Sequence, residues 1–275
     1  MRFCFQNQLS VSMKTFKHKT ILITGASSGI GEAMTYQLID PTVKLVLVGR
    51  SEEKLRAMVA VLEARGTWAQ AYVADLSKPG AAEELFRRLS EDGYRVDVLI
   101  NNAGAGKYGR FDTISLEETL AMLRLNLENL VALTHLCIPH MLKRGDAGIL
   151  NVASTAGFQG IPYMAVYAAT KSFVIAFSEA LHAEYADKGI TVTCLCPGPT
   201  ATAFQERAGM PVKGLRRFME SPEKVAIAGL RALLRGEVLH ISGTPNALTA
   251  WLSQLAPRRM RLAVTRRLLG GAEDT

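Results

Sequence analysis

The sequence predicts a single α/β domain of the doubly wound type, with a parallel sheet of about seven strands and helices on both faces. Short apolar and β-branched runs alternate along the chain with longer stretches of helical periodicity. Most of these runs are apolar at consecutive positions, as strands buried on both faces require. Glycines follow several of the helical stretches, where a positive φ favours this residue.

The predicted strands lie where apolar runs are bounded by turn signals. They are Thr20–Thr24, Lys44–Gly49, Trp68–Ala74, Val96–Ile100, Gly148–Ala153, Ile190–Cys196 and Val238–Ser242. Helices are expected between them, at about 29–39, 51–65, 78–91, 115–143, 163–187 and 222–235. Ser221 and Pro222 are typical of an N-cap and a first helical turn. This alternation predicts right-handed crossovers between parallel strands.

Three segments are expected. Residues 1–17 are predicted to be an N-terminal extension, either disordered or due to an initiation site placed too early, since Met13 is a more ordinary start. Their first dozen residues lack the apolar core and cleavage site of a secretory signal. Residues 18–245 form the main domain, and residues 246–275 form a basic, amphipathic helical tail. Within the domain, the stretch 199–221 is predicted to be a lid or binding loop, with a disordered insertion as the alternative.

Composition limits the classes of function. The chain has 275 residues, of which 48% are hydrophobic, so one large core is expected. Its formal charge of +7 favours anionic partners, namely phosphate-bearing cofactors, acidic lipid surfaces or nucleic acid. Because no run of 18 apolar residues occurs, no membrane span is expected.

The four cysteines form no disulfide framework, which suits a reducing compartment, and we expect a cytoplasmic protein. Cys194 and Cys196 alternate along an apolar run, so their side chains should lie on one face of a buried strand. No further metal ligands occur near them, and no metal site is expected.

A glycine-rich turn follows the first predicted strand and opens a helix. Its sequence, TGASSGIG, places glycines at 25, 29 and 31, which allow a tight turn and close approach of a ligand to the backbone. The N–H groups at the start of the helix would bind a pyrophosphate, with added hydroxyl donors from Ser27 and Ser28 and the Ile30 backbone nearby. Residues 18–245 are therefore predicted to be a dinucleotide-binding domain.

The spacing G-x-x-x-G-x-G resembles that of the short-chain dehydrogenase/reductase family. Four further segments extend the resemblance in the correct order over about residues 19–243. They are Asp75–Leu76, the NNAG of Asn101–Gly104, the YAATK that begins at Tyr167, and CPGPTAT from Cys196 to Thr202. The resemblance implies a nicotinamide cofactor and a catalytic domain that assembles as a homodimer or homotetramer.

The end of the second strand indicates which nicotinamide cofactor is preferred. In relatives that bind NAD an acidic residue commonly stands at the position of Gly49, where it would repel a 2′-phosphate. Here that acid is missing and Arg50 follows directly, and a guanidinium is suited to a phosphate. We therefore expect NADP(H) to be preferred over NAD(H), with an ordinary solvated charge as the alternative for Arg50.

The resemblance also assigns contacts to the other cofactor residues. Asp75 would contact the adenine amino group beside Leu76, with helix capping as its other reading. Asn102, Ala103 and Gly104 would line the adenosine ribose, while Asn101 could be purely structural. The nicotinamide carboxamide would be held by residues that follow the sixth strand, namely Pro197, Gly198, Thr200 and Thr202.

Tyr167 and Lys171 are one helical turn apart and so share one face. A phenol with an unperturbed pKa of about 10 is a poor proton carrier at neutral pH, and a nearby ammonium is expected to lower that pKa. Ser154 closes the fifth strand and could bind a substrate carbonyl. Asn126 lies inside a predicted helix, although asparagine is a mediocre helix former. The resemblance gives it a bound water that links Lys171 to solvent, and the alternative is an exposed polar position.

These residues predict a carbonyl reductase, or an alcohol dehydrogenase in reverse. Hydride from the cofactor would reach a ketone or aldehyde carbon while Tyr167 donates a proton to the oxygen. Ser154 would hold that oxygen, and Lys171 would also bind the nicotinamide ribose. The alternative is a non-catalytic NADP(H)-binding sensor. Nucleic-acid binding is not expected, since no aromatic-rich basic groove is evident.

The substrate pocket is predicted to be apolar. Beside Ser154 it would be lined by Phe158, Ile161, Tyr163 and Phe204, with Met164 and Met210, although all could be packing residues. Such a pocket suits a carbonyl compound with a hydrocarbon or acyl body.

The tail after the last strand has a helical pattern of its own. Leu248, Trp251, Leu252 and Leu255 recur at helical spacing, and Pro257 starts a second stretch rich in arginine. A basic amphipathic helix can lie on an anionic membrane surface. Packing over the substrate pocket or a subunit contact is expected ahead of membrane contact. Tails of this kind occur in the branch of the family that resembles acyl-ketone reductases.

Overall fold

The structure is a computed structural model that describes residues 13–211 and 219–270. Its centre is a seven-stranded sheet in the order β3-β2-β1-β4-β5-β6-β7, and every strand pair is parallel. The strands are β1 (Thr20–Thr24), β2 (Lys44–Gly49), β3 (Trp68–Val73), β4 (Val98–Asn101), β5 (Ala147–Val152), β6 (Ile190–Cys196) and β7 (Leu239–Ile241). The predicted doubly wound α/β fold is confirmed.

Ten α-helices connect or follow the strands in the described ranges. They are α1 (Gly29–Gln37), α2 (Glu52–Ala64), α3 (Ala81–Glu91), α4 (Leu116–Leu123), α5 (Asn129–Arg144), α6 (Ala165–Tyr185), α7 (Phe204–Ala208), α8 (Pro222–Leu234), α9 (Thr244–Leu255) and α10 (Arg258–Leu269). Ser221 caps α8 through a hydrogen bond from the Lys224 N–H, as its sequence predicts. Among the helices of the described residues, none combines the length and apolarity that crossing a bilayer requires.

Alternate residues of the central strand face two separate layers of core. Ile21 and Ile23 pack with α1, α2 and α8, while Leu22 packs with α3, α5 and α6. All three side chains are fully buried. Consecutive apolar residues are therefore needed because both faces of the sheet are covered.

One predicted helix, 115–143, is two helices in the structure. α4 and α5 are joined by a π turn at Arg124–Glu128, in which the N–H of Asn129 bonds to the carbonyl of Arg124. The wider turn places Asn126 in the interior, with 1% of its surface exposed. The alternative of an exposed polar position for Asn126 is therefore wrong.

Two predicted boundaries are also corrected. Met13 is fully buried and its N–H donates to Thr191 Oγ1 at 2.8 Å, so the folded domain includes residues that were expected to belong to the 1–17 extension. The extension that remains, 1–12, lies outside the described residues. At the other end, the first tail helix begins at Thr244 rather than at 246, and Asn246 of this helix lies against Gly198 of the domain.

The predicted lid contains regular structure where the structure describes it, unlike the alternative of a disordered insertion. Thr200 and Glu220 form a parallel bridge, and α7 lies between these two residues in the chain. Residues 212–218 of the predicted lid lie outside the described residues.

Candidate active site

The predicted site residues meet at the carboxyl edge of the sheet. The ends of β1, β4, β5 and β6 lie side by side there, and each continues into a loop that carries one of the sequence motifs. Ligands of open α/β sheets bind at this edge, where the strand order reverses. In this sheet the reversal lies between β1 and β4.

The glycines of the turn after β1 are required by close packing against the loop after β4. A methyl group at Gly31 would lie 2.4 Å from both Asn102 Nδ2 and the Gly25 carbonyl oxygen. Asn102 Nδ2 donates to the carbonyl oxygens of Thr24 and Gly25, at 3.0 and 3.1 Å. Gly25 itself has a φ of +65°. The Asn102 side chain therefore holds the turn in shape, a role beyond the backbone contact that was predicted for it.

The start of α1 is open to an anionic group. Ser28 is its N-cap residue, but the Ser28 hydroxyl makes no capping hydrogen bond to the first turn. Ile30 follows inside that turn, so its N–H belongs to the group at a helix start that needs an external acceptor. The donor set fits a phosphate, as the sequence predicts.

Two further contacts close the rim of this cradle. A methyl group at Gly29 would lie 2.9 Å from Thr202 Cγ2, which brings the loop after β6 onto the glycine turn. A methyl group at Gly49 would lie 2.9 Å from the Ser27 hydroxyl oxygen. Ser27 thus occupies the space into which an acidic side chain at position 49 would extend.

Arg50 and Asp75 stand together where β2 and β3 end. Burial raises the pKa of the Asp75 carboxyl, but hydrogen bonds from Ser77 and the nearby Arg50 charge outweigh it, so the pKa lies below its usual value. The Ser77 N–H and hydroxyl both bond to Asp75 Oδ1, at 3.1 and 2.7 Å. These bonds form a local turn, whereas α3 begins at Ala81 with Gly80 as its N-cap. The capping reading of Asp75 is therefore wrong, and its adenine contact stays a prediction.

The strand-end loops around the cofactor residues are braced by buried polar side chains. Leu76 is buried, and its carbonyl accepts a hydrogen bond from Asn129 in α5. The Asn101 amide donates to Asn151 Oδ1 on the neighbouring strand at 2.9 Å. Asn101 is structural, the reading that the sequence left open.

Tyr167, Lys171 and Ser154 come together as predicted. A hydrogen bond joins the Ser154 side chain to the Tyr167 phenol. The Lys171 ammonium lies 5.8 Å from the centre of the Tyr167 ring and donates to the Val152 carbonyl at 2.8 Å. Both Tyr167 and Lys171 are buried. The arrangement places a phenol, a hydroxyl and an ammonium at one point of the sheet edge.

The pKa values of this pair differ from the sequence expectation. Burial raises the pKa of Tyr167 to about 12, and the hydrogen bond from Ser154 lowers it only in part. Burial also lowers the pKa of Lys171 to about 8, while the nearby Cys194 and Cys196 thiols act in the opposite direction. The expectation that Lys171 brings the Tyr167 pKa below 10 is wrong for the chain alone, because desolvation disfavours both charged forms.

Asn126 links the loop after β4 to α6. Its Oδ1 accepts from the Ala105 N–H, and its Nδ2 donates to the Ala105 carbonyl and to Thr170 Oγ1, each at about 3 Å. Gly104 fits beneath this link, since a methyl group there would lie 3.4 Å from both Lys171 Nζ and Asn126 Oδ1. Asn126 therefore fixes the surroundings of Lys171 directly, and the water-mediated role stays a prediction.

The loop after β6 carries Pro197, Gly198, Thr200 and Thr202 and is held from two sides. The Ala201 N–H bonds to the Glu220 carbonyl at 2.9 Å, and the Glu220 N–H bonds to the Pro199 carbonyl at 2.9 Å. Asn246 of α9 covers Gly198 so closely that a methyl group there would lie 2.3 Å from the Asn246 amide nitrogen. The first tail helix is thus part of the site's support.

An apolar cluster surrounds Tyr167. It includes Met122 and Met164, with Ile161, Phe204 and Met210 packed against it. The Phe204 ring lies 5.2 Å from the Tyr167 ring. Four of the expected pocket residues, Ile161, Met164, Phe204 and Met210, therefore lie together beside the phenol.

Two expected pocket residues are placed differently. Phe158 ends a short 3₁₀ turn and packs against the separate cluster that contains Val174 and Ile175, so the structure does not bring it to Tyr167. Tyr163 adopts a φ of +64° and its ring lies 5.7 Å from Tyr108, on the rim of the cluster. A positive φ is unfavourable for a bulky side chain.

Four polar residues of the site were missed by sequence reasoning. Thr24 Oγ1 accepts from the N–H groups of Asn102 and Ala103, so these donors are used internally. Thr170, Glu220 and Asn246 hold the other loops as described above. Thr170 lies inside the YAATK motif and could have been suspected, whereas nothing in the local sequence marks Glu220 or Asn246.

Comparison with known proteins places the chain in a family. Residues 19–211 match the model of the short chain dehydrogenases. Ketoacyl reductase HetN of a Nostoc species is 31% identical over 247 residues, which cover 88% of this chain and 84% of that protein. Very-long-chain 3-oxoacyl-CoA reductase of Anas platyrhynchos is 36% identical over 192 residues, which cover 67% of this chain and 61% of the relative.

A solved relative supports the same assignment. The structure of a short-chain dehydrogenase from Sphingobium yanoikuyae, in complex with NADPH, superposes with a TM-score of 0.77 at 33% identity and covers 86% of this chain and 94% of its own. Together with the strand order and the grouped motif residues, these matches show that the chain belongs to the short-chain dehydrogenase family of oxidoreductases.

Proposed function

We propose that this protein is an NADPH-dependent carbonyl reductase in which Tyr167 is the general acid. The observation that carries the proposal is the buried Tyr167 phenol, hydrogen-bonded to Ser154 and adjacent to Lys171, at the sheet edge beside the glycine turn. A bound nicotinamide supplies the hydride. The chain's own residues supply the proton, the oxygen contact and the electrostatic setting.

Four residues of the site divide the chemical work of carbonyl reduction. Tyr167 Oη donates its proton to the substrate oxygen as negative charge develops there. Ser154 Oγ holds that oxygen beside the phenol. Lys171 would bind the nicotinamide ribose and return a proton to Tyr167, and Asn126 keeps the loop beside Lys171 in place. Burial raises the pKa of Tyr167 to about 12, so the phenol is protonated at neutral pH and has a proton to donate.

The preference for NADPH rests on the end of β2. Position 49 is glycine, and Ser27 fills the space that an acidic side chain would need there. No carboxylate therefore repels a 2′-phosphate at this position, and the exposed Arg50 is available to pair with it. The NADPH in the structure from Sphingobium yanoikuyae supports the same cofactor. Changing Arg50→Ala should raise the KM for NADPH at least about tenfold and leave the KM for NADH nearly unchanged, if the guanidinium pairs with the phosphate. Arg56→Ala, which removes an exposed arginine of α2 six residues further on, is the matched control.

The substrate class follows from the surroundings of Tyr167. Met164, Ile161, Phe204 and Met210 offer hydrocarbon surface and little hydrogen bonding. The similarity to a ketoacyl reductase and to a 3-oxoacyl-CoA reductase supports an acyl or hydrocarbon ketone. NADPH oxidation should be measured on ketones and aldehydes of increasing chain length, and a rising kcat/KM along the series is expected.

The role of Tyr167 is tested by Tyr167→Phe. Turnover should fall about a hundredfold or more, because a general acid commonly contributes that much, while NADPH affinity stays within about twofold. Tyr185→Phe, at the other end of α6, is the control and should keep both properties. Retained turnover in Tyr167→Phe would remove the proposed acid.

A non-catalytic NADP(H) sensor is the alternative. It would bind NADPH but reduce no member of the carbonyl series, whereas the proposed enzyme must turn over at least one. Enzymes of this family act on small molecules and commonly form oligomers; the homodimer or homotetramer and the cytoplasmic location stay predictions for this chain.

A further inference from the structure

The two C-terminal helices have an outward apolar surface. On α9, Leu248, Trp251, Leu252 and Leu255 are each at least half exposed, and Trp251 is 60% exposed. They are spaced three or four residues apart and so form one stripe. The opposite face is the one that packs, since Ala250 is buried and Asn246 covers Gly198. We call the four residues of α9 the apolar stripe.

The same segment is strongly basic. Residues 244–270 contain five arginines and no acidic residue. Arg258 and Arg259 follow the stripe directly and are exposed, as is Arg267 on α10. Met260 and Val264, also half exposed, add apolar surface between them. A buried protein interface would have to desolvate these charges, whereas a layer of anionic headgroups pairs with them and remains hydrated.

The segment is held firmly enough to present this surface. The Tyr108 hydroxyl donates to the Leu269 carbonyl, and Leu262 lies against Gly160, so α10 rests on the rim of the apolar cluster around Tyr167. Asn246 Nδ2 fixes the start of α9 through the Ser242 carbonyl at 2.9 Å. Both tail helices are therefore anchored through one face while the other carries exposed hydrocarbon and arginine.

We propose that α9 and α10 dock this protein on an anionic lipid surface, with the apolar stripe inserted at the headgroup boundary and the arginines paired with lipid phosphates. An exposed tryptophan beside leucines and flanking arginines is the composition of helices that lie in a membrane interface. A second copy of this chain fits the patch less well, because it would bring two sets of arginines together. Docking would place the rim of the Tyr167 cluster next to the lipid.

Tryptophan fluorescence gives a direct test on the full chain. The protein has two tryptophans, Trp68 and Trp251, so Trp68→Phe leaves Trp251 as the single reporter. Adding vesicles of phosphatidylcholine with phosphatidylglycerol should shift its emission to shorter wavelength, and brominated acyl chains should quench it. Vesicles of phosphatidylcholine alone should produce neither change. No shift with anionic vesicles, or equal shifts with both kinds, would overturn the proposal.

Co-sedimentation with the same vesicles separates the apolar and charged contributions. Trp251→Ser with Leu255→Ser should lower binding at least about tenfold, since two large side chains no longer enter the interface. Arg258→Gln with Arg259→Gln should lower it about thirtyfold, the combined factor for two basic residues near an anionic surface.

Matched controls use exposed residues elsewhere on the surface. Leu116→Ser removes a leucine that is 73% exposed on α4, and Lys54→Gln with Arg65→Gln removes two exposed charges near α2. Both should bind vesicles as the unchanged protein does. Equal losses in controls and tail variants would contradict the proposal. A tail variant that alters the oligomeric state while vesicle binding persists would assign the patch to a second copy instead.

Discussion

The loops at the carboxyl edge of the sheet and the two C-terminal helices use polar side chains in opposite ways. At the sheet edge, Asn102 and Asn126 are directed inwards and spend their amide groups on backbone atoms of neighbouring loops. In the tail, Arg258 and Arg259 are directed outwards beside exposed leucines. Side chains of the first region make specific buried hydrogen bonds, so single substitutions there should lower the stability of the protein. Substitutions on the exposed face of the second region should leave stability nearly unchanged and affect only the binding of lipid.

The largest expected effect is at the glycine turn. Gly31→Ala forces a methyl group to within 2.4 Å of Asn102 and of the Gly25 carbonyl, so the free energy of unfolding should fall by about 3 kcal/mol. Gly66→Ala is the control, because it has a φ of +79° but open space and should cost only about 1 kcal/mol. Urea unfolding measures both variants, and equal losses would refute the packing argument.

Asn126 and Asn246 should differ in how much each contributes to stability. Asn126→Ala leaves the Ala105 N–H and carbonyl without their side-chain partner inside the protein, which should cost about 2 kcal/mol. Asn246→Ala removes hydrogen bonds at a half-buried position and should cost about 1 kcal/mol. Thermal unfolding distinguishes them. Should Asn246→Ala prove the more damaging, the division between an inward site and a tolerant tail fails.

The buried ammonium should be visible in the pH dependence of stability. The Lys171 pKa is about 8 in the folded chain and about 10.4 when unfolded, so between these values the unfolded state binds more protons. This group therefore makes the folded state more stable as pH rises through that window, and the increase should be about 1.5 kcal/mol from pH 8 to 9.5. Lys171→Met should lack the increase. Parallel curves for the two proteins would mean that the folded lysine keeps an ordinary pKa.

The smallest effect is expected on the outer face of α9. Leu255→Ser should change the free energy of unfolding by no more than about 0.5 kcal/mol, because the side chain is 67% exposed. Ala250→Ser, on the packed face of the same helix, should cost about 1 kcal/mol because it buries a hydroxyl. Calorimetric melting of both variants checks the pair, and a large loss in Leu255→Ser would indicate a packed stripe.

Much of the fold was predictable because a sheet that is buried on both faces requires strands with consecutive apolar residues, and these runs are visible in the sequence. β1, β2 and β6 have the predicted ends, since each is a predominantly apolar and β-branched run bounded by turn residues. The same pattern placed Cys194 and Cys196 on one face, and their sulfur atoms lie 3.8 Å apart in the core. The π turn around Asn126 was not predictable, because its wider hydrogen-bonding pattern has no residue signature.

The sequence predicted which catalytic residues form the site, but not their pKa values. Ser154, Tyr167 and Lys171 were identified by spacing, and the structure brings them together. Their pKa values depend on desolvation, which the sequence does not express. Glu220 and Asn246 reach the site from distant segments, and which face of α9 packs depends on contacts such as that of Asn246 with Gly198.

The left-handed backbone at Tyr163 has a consequence for protein engineering. A residue with a φ of +64° gains stability on change to glycine or asparagine, so a library randomised at this codon and selected for heat resistance alone should drift towards those two residues. The same library selected for turnover should retain an aromatic ring if that ring shapes the entrance. Comparing the residue frequencies at position 163 under the two selections would show how far the aromatic ring favours turnover at the expense of stability.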